Sequence, residues 1–304
     1  MRIRNQSKVM DNLWYLGRTE SGVYLLDGSD GSMIISGGVS YLVPHILRQL
    51  DDFGIDEGRI NKLLILHAHF DHVGIVPFFK RRYPDLKIYA SHRAWELLAM
   101  QQVIDTINMF SKLTTQRMGF QDSISSYDLD WRDDVEGIAV FEGDTIDLGL
   151  QKVSILETPG HSSCSISAYI SETKVLFSSD AGGIPYKDDM ILTSGNSNYT
   201  LFQQSLDKLR ALEVDCLCAD HYGYVTGEEA RTFISDAVRE AKRFRRLMES
   251  VYRRAGDIDL AAKRMIAVTV ASDPDYFLPA GVVEGVYRQI MKHLAKEMGA
   301  KERV

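Results

Sequence analysis

Apolar residues along this chain fall first in short runs broken by glycine and Asp-Gly turns, and only later at helical intervals. Residues 13–17, 22–27 and 32–36 are three such runs, the pattern of an antiparallel meander. Ile46, Leu47, Leu50 and Phe53 then recur at helical spacing over 43–53. The segment 62–66, apolar from Leu63 to Leu66, reads as a buried strand. A helical pattern covers 91 to about 120, rich in Trp95, Leu97, Leu98, Met100, Met109, Phe110 and Met118. Residues of these types are more often core than ligand contacts, although an insert placed here could also wall an adaptable apolar pocket. Strand signals return as a pair within 142–148, then at 153–158, 174–179 and 214–220. No strand signal follows Cys218. Helices are expected from Gly227 to about Arg254, over 257–271 and again after Pro279, with Asp273-Pro274 as the break.

Candidate chemistry sits where strand runs end. His67-Ala68-His69-Phe70-Asp71-His72 follows the strand at 62–66 and packs four ligand-type side chains into six residues. On extended backbone, side chains two apart point the same way, so His67 and His69 can grip one ion. The turn that must follow can bring Asp71 and His72 towards a second. Three later strands end in the same manner, at Pro159-Gly160-His161-Ser162, Asp180-Ala181-Gly182-Gly183 and Asp220-His221-Tyr222-Gly223. Imidazole and carboxylate donors suit Zn²⁺, Mn²⁺ or Fe, and the absence of a thiolate near these positions argues against a cysteine-type structural zinc. His45, His92 and His293 each stand alone in a helix-like context and are expected to stay outside the set.

In this order the motifs resemble those of the metallo-β-lactamase-fold hydrolases, in the dinuclear branch similar to glyoxalase II. The resemblance spans roughly residues 10 to 225. It implies an α+β fold, a four-layer αββα sandwich of two mixed sheets with a dinuclear site on one edge. It gives one metal His67, His69 and His161, gives the other Asp71, His72 and His221, and makes Asp180 the bridge. The remaining residues, 226–304, form an all-helical extension that resembles glyoxalase II in architecture and, more closely, the quinolone-signal response thioesterase; the Phe277-Leu278-Pro279 element and the turn at 35–38 look like their counterparts there. The expected division is a catalytic domain over 1–225 and an extension over 226–304 that covers the active-site edge. Tyr222, Tyr276 and Phe277 are the side chains expected to line its wall.

Composition narrows the partners. The chain has 304 residues, 45% apolar and 25% charged, with a net charge of −7. That is an ordinary globular composition without the basic footprint of a nuclease, so a small-molecule substrate is expected rather than nucleic acid. No stretch approaches the roughly 20 apolar residues of a membrane span, and residues 1–6 lack the apolar core of a signal peptide, so no membrane partner and a cytoplasmic location are expected. A homodimer is left open. Cys164, Cys216 and Cys218 are expected as buried free thiols, the last two on one strand face. The basic cluster from Lys242 to Arg246 is expected to be a solvated helix face, with recognition of an anionic handle as the other reading.

The expected reaction is hydrolysis. A water held between two divalent ions loses its proton near neutral pH, and such a metal-bridging hydroxide attacks a carbonyl polarised by one ion. Asp71 is the expected proton acceptor or relay. A thioester is favoured because its thiolate leaves without protonation; lactones, phosphodiesters and activated esters stay open. The reading from another class is a regulatory or partner-binding protein with a retained metal site and slight hydrolase activity. A flavodiiron-type redox enzyme is weaker, since that resemblance calls for a glutamate where His69 stands.

Overall fold

Two seven-stranded sheets lie face to face in the computed structural model, which describes residues 1–187, 189–272, 278 and 280–301. The first runs, in spatial order, β2 (Ser7–Met10), β3 (Leu13–Gly17), β4 (Gly22–Gly28), β5 (Gly31–Ile35), β6 (Ile60–Leu64), β7 (Lys87–Ser91) and β8 (Ile138–Val140). The second runs β1 (Arg2–Ile3), β14 (Tyr224–Thr226), β13 (Cys216–Cys218), β12 (Val175–Phe177), β11 (Ile166–Ile170), β10 (Lys152–Glu157) and β9 (Thr145–Asp147).

Period-two alternation sorts these strands between two cores. Leu13, Tyr15, Tyr24, Leu26, Met33 and Ile35 face inward against Val153, Ile155, Ile166, Phe177 and Cys218 of the second sheet. Their neighbours Leu16, Val23, Leu25 and Ile34 point the other way, into a core shared with helices on the outer face. Those helices are α1 (Val43–Asp52), α2 (Val76–Arg82), α3 (His92–Leu98), α4 (Gln101–Met118) and α5 (Gln121–Ile124). On the far side, Leu176, Leu217 and Val225 pack against Leu209 of α6 (Tyr199–Leu209) and Phe233 and Ile234 of α7 (Glu228–Ala255). The result is the expected αββα sandwich. Beyond it, α8 (Ile258–Ser272) and α9 (Ala280–Lys301) pack on α6 and α7 through Phe202, Val238, Met248, Met265 and Leu294.

Strand direction decides where the site can be. β12 and β13 are parallel, and β10 is antiparallel to β11, which is antiparallel to β12. The carboxyl ends of β10, β12 and β13 therefore share one edge. β5, β6 and β7 are mutually parallel in the other sheet, so their ends are also held together.

Several sequence expectations need correction. β14 follows Cys218, pairing with β13 and with the N-terminal β1. At three residues it is too short for alternation to register in the sequence. The single helix expected over 91–120 is broken at Met100, whose backbone is extended (φ −86°, ψ 121°), giving α3 and α4. Met100 and Met109 are about half exposed, at 51% and 50%, rather than in the core. Arg245 is not on a solvated face: it binds Glu249 and Glu297 at 2.9 and 2.5 Å, and Thr200 and Gln203 at 2.9 Å, tying α7 to α6 and α9. Asp273-Pro274 and Pro279 lie outside the described residues. The three thiols are free and buried, with Cys216 and Cys218 Sγ atoms 3.9 Å apart on one face as expected.

Gly160 adopts φ +127°, and a Cβ there would lie 2.1 Å from the backbone nitrogen of Phe202 in α6. Gly160→Ala is therefore expected to destabilise the fold by on the order of 2–4 kcal/mol, from strain and overlap together. A urea midpoint equal to wild type would show that α6 does not pack on this loop as described.

Candidate metal centre

Past the end of β6 at Leu64 the chain reaches His69 in extended conformation (φ −75°, ψ 150°) and then closes into a 3-10 turn, Phe70–His72. His67 and His69 consequently share a side, with His67 Nε2 and His69 Nδ1 3.2 Å apart, while Ala68 between them faces the helical-side core. The β10 loop brings His161 Nε2 to 3.0 Å from His69 Nδ1. The 3-10 turn swings Asp71 and His72 the other way, where His221, at the end of β13, places its Nε2 3.1 Å from His72 Nε2 and 3.6 Å from Asp71 Oδ2. Asp180, at the end of β12, stands between the groups: its Oδ2 is 3.3 Å from His161 Nε2 and 3.5 Å from His72 Nε2. All seven side chains singled out by sequence are thus brought together, and all but the half-buried His69 are buried. Donor groups able to hold a metal are His67, His69 and His161; His67, His72 and Asp180; and Asp71, His72 and His221.

Hydrogen bonding fixes what these rings offer. His161 Nδ1 lies 2.8 Å from the Ser194 carbonyl, and His221 Nδ1 lies 2.7 Å from the Glu20 carbonyl. A carbonyl only accepts, so each Nδ1 carries the proton and each Nε2 presents a lone pair. His72 Nδ1 lies 2.8 Å from Asp220 Oδ2, which fixes its tautomer in the same way. Neutral His72 and His221 would then aim two lone pairs at each other across 3.1 Å. A shared cation resolves that conflict, and in the metal-free protein a proton on His72 Nε2 takes its place. Ligand atoms around a tetrahedral ion at about 2.1 Å are about 3.4 Å apart, close to the separations found here. Asp180 Oδ1 is buried without a hydrogen-bond partner among the described residues, a costly arrangement unless a cation faces it. The donor set fits one or more divalent metals.

Protonation follows from burial and neighbours. Burial, reinforced by the surrounding imidazoles, holds His67 well below the ordinary histidine value and His69 down at about 3. Burial also lowers His161, despite Asp180. His72 feels the same burial, but Asp180 and Asp71, with its bonds to Asp180 and Asp220, outweigh it and raise it well above the ordinary value. Burial works against charge on Asp180, yet His72, His221 and His161 hold it well below the usual carboxylate range.

Of the other expectations, His45 bonds the Tyr41 carbonyl, His92 is exposed beside Glu96, and His293 pairs with Glu297; none belongs to the donor groups. The thiol of Cys164, contrary to expectation, does lie near the ligands, accepting from the Ala68 amide at 3.4 Å. Burial raises its pKa, so it is kept a neutral thiol. Tyr222 is half-buried with a left-handed backbone (φ 61°), its ring edge-on to Tyr186 at 5.1 Å. Tyr276 and Phe277 lie outside the described residues. Leu278 packs, partly buried, on the core that contains Ala68 and Phe70, and Phe110 of α4 meets Phe70 at 5.6 Å. Sequence reading passed over Asp220 and the Glu20 and Ser194 carbonyls, which bond ligand rings, and Ser36 and Ser179, whose hydroxyls bond Asp220. Their only sequence signal is position, small or acidic residues at the ends of strand runs.

A family model described as the metallo-beta-lactamase superfamily matches residues 16–221. The chain is 30% identical over 152 residues to an anaerobic nitric oxide reductase flavorubredoxin of Pectobacterium carotovorum, covering 49% of this chain and 25% of that protein. It is 25% identical over 181 residues to an acyl-coenzyme A thioesterase of Homo sapiens, covering 55% and 60% respectively. The match thus spans less than two thirds of either relative. Among solved structures, a metallo-beta-lactamase family protein from Thermus thermophilus superposes with a TM-score of 0.67 over 96% of each chain at 15% identity. Rubredoxin oxygen:oxidoreductase from Desulfovibrio gigas does so at 0.57, over 83% of this chain and 70% of that one, also at 15%. Likeness at such identity concerns the fold alone.

The pKa directions predict how the metal-free protein responds to acid. Below about pH 6.5 the unfolded chain protonates histidines that the folded site keeps neutral at His67, His69 and His161, so stability falls as pH drops through that value. His72, raised in the fold, stays charged there while the unfolded chain is still taking up its proton, so its contribution grows slightly and offsets a small part of the loss. With up to three protons at about 1.4 kcal/mol per pH unit each, the loss between pH 6.5 and 5.5 should be on the order of 2–4 kcal/mol. Urea midpoints of metal-free protein that stay level across this interval would contradict the burial of these rings as neutral bases.

Proposed function

This chain belongs to the metallo-beta-lactamase superfamily, and we propose that within it the protein is a dinuclear metal-dependent hydrolase of a small-molecule ester, an acyl-thioester above all. The observation that carries the reading is the opposition of His72 and His221 Nε2 at 3.1 Å, each with its other nitrogen committed to an acceptor. His67, His69 and His161 would hold one ion, Asp71, His72 and His221 the other, with Asp180 shared. Two divalent ions held there, Zn, Fe or Mn, would supply Lewis acidity and lower the pKa of water.

The chain's own residues do the rest. Asp71 Oδ2 lies 3.6 Å from His221 Nε2 and 3.8 Å from His72 Nε2, at the donor group where a nucleophile would form, and its free lone pairs can take or relay the proton. Ser194 and Glu20 carbonyls keep His161 and His221 in the ligating tautomer. Phe70 and Phe110 bring apolar surface to the ligand loop, and Leu278 brings the α8–α9 connection to the same core, so the helical extension would close over this edge and help choose the substrate. A thioester suits this set because its leaving thiolate needs no proton donor. The acyl-coenzyme A thioesterase relative supports the same chemistry. The flavorubredoxin relative raises a redox reading, against which stands His69 in the place where that resemblance calls for glutamate.

Purified protein assayed for metal content and for hydrolysis of thioesters, lactones and phosphodiesters is expected to carry two ions and to favour thioesters. Asp71→Asn should lower turnover about 100-fold, the scale of one lost proton-transfer group, with metal content largely kept. Asp180→Ala should lose both metal and activity. If activity merely tracks metal in the two variants, Asp71 has no proton-handling role; a metal-loaded wild type inert towards all three ester classes would favour the regulatory reading instead.

A further inference from the structure

Asp220 is not among the seven candidate ligands, yet it is 1% exposed and lies directly behind them. Its Oδ2 accepts from three donors: His72 Nδ1 at 2.8 Å, Ser36 Oγ at 2.9 Å and Ser179 Oγ at 2.5 Å. Ser179 Oγ also lies 3.3 Å from His67 Nδ1. A hydroxyl that gives its proton to Asp220 has its lone pairs left to accept one, so the relay runs from His67 Nδ1–H through Ser179 to the carboxylate. His67 Nε2 is then left bare towards His69 and His161. One oxygen thereby sets the tautomer of a ring in each donor group.

Two further observations mark this arrangement as built rather than incidental. Ser36 and Ser179 both have left-handed backbones, φ 72° and 46°, a conformation that L-residues other than asparagine and aspartate rarely adopt. Both put their hydroxyls on the same carboxylate oxygen, and they come from the ends of β5 and β12, one in each sheet. Asp220 Oδ1, meanwhile, is buried without a hydrogen-bond partner among the described residues. Local conformational strain and an unsatisfied oxygen persist only where surrounding structure imposes them, and they concentrate at functional sites.

We propose that Asp220 is the positioning residue of the metal centre, holding His72 directly and His67 through Ser179 so that both ions bind in register, with Ser36 fixing the carboxylate to the opposite sheet. The inference rests on the dinuclear reading above. Its test is the affinity of the full chain for two Zn²⁺ by competition with a chelating indicator. The visible spectrum of the Co²⁺-substituted protein and the thermal midpoint of the metal-free form are read alongside. Asp220→Asn should weaken both ions by about 10–100-fold and shift the Co²⁺ bands, without a matching fall in the metal-free midpoint. Ser179→Gly relieves the backbone while removing the hydroxyl. It should weaken one ion only, by about tenfold, with the metal-free midpoint at or above wild type. Should Asp220→Asn fail to fold, Ser179→Gly decides on the same readings. Wild-type affinities in the variants, or affinity that falls only as far as metal-free stability with unchanged Co²⁺ bands, would overturn the assignment of Asp220. Wild-type protein that takes up fewer than two Zn²⁺ would overturn the dinuclear reading itself.

Discussion

Like-charged electron density held at close range governs this molecule. Five imidazoles and two carboxylates converge at one edge of the sandwich, nearly all of them buried, with ring nitrogens 3.0–3.2 Å from one another. Burial makes His67, His69 and His161 poor bases, while His72, beside Asp180 and Asp71, holds a proton that a metal would have to displace. Such a cluster is unfavourable by itself and becomes favourable around cations, so the fold must hold together what electrostatics alone would scatter. The two sheets do this by bringing parallel strand ends to one edge, each end giving way to a loop that turns a donor inward.

The supporting layer is drawn from both sheets and both halves of the chain. Glu20, between β3 and β4, anchors His221; Ser194, ahead of α6, anchors His161; Asp220 anchors His72. α6 is itself bound to the His161 loop through the Ser197 and Asn198 amides on the Gly160 carbonyl, and to α7 and α9 through Thr200, Arg245 and Glu297. The helical extension is thus mechanically continuous with one donor loop, which gives a physical route from its packing to the centre.

Much of the centre was legible in the sequence because side-chain direction on extended backbone has period two and because ligand chemistry is confined to a few residue types. His67, His69 and the three later strand-end motifs could be named from that alone, and the resemblance of their order supplied the grouping and the fold. β14, β1 and the break at Met100 were not legible, since pairing between distant segments of two and three residues and a single extended residue leave no periodic trace. Asp220, Ser36 and Ser179 escaped for a related reason: a left-handed serine and a convergent carboxylate are properties of three-dimensional closure, and nothing in a local run of residues encodes them. Met100 and Met109 show the converse, apolar residues in a helical pattern read as core that stand about half exposed.

The most direct measurement is the anomalous scattering of crystals of the purified protein, collected at the absorption edges of zinc, iron and manganese. The account predicts two peaks, one within about 2.0–2.3 Å of His67, His69 and His161 and one equally near Asp71, His72 and His221, both touching Asp180. A single peak, or two that do not share Asp180, would contradict it.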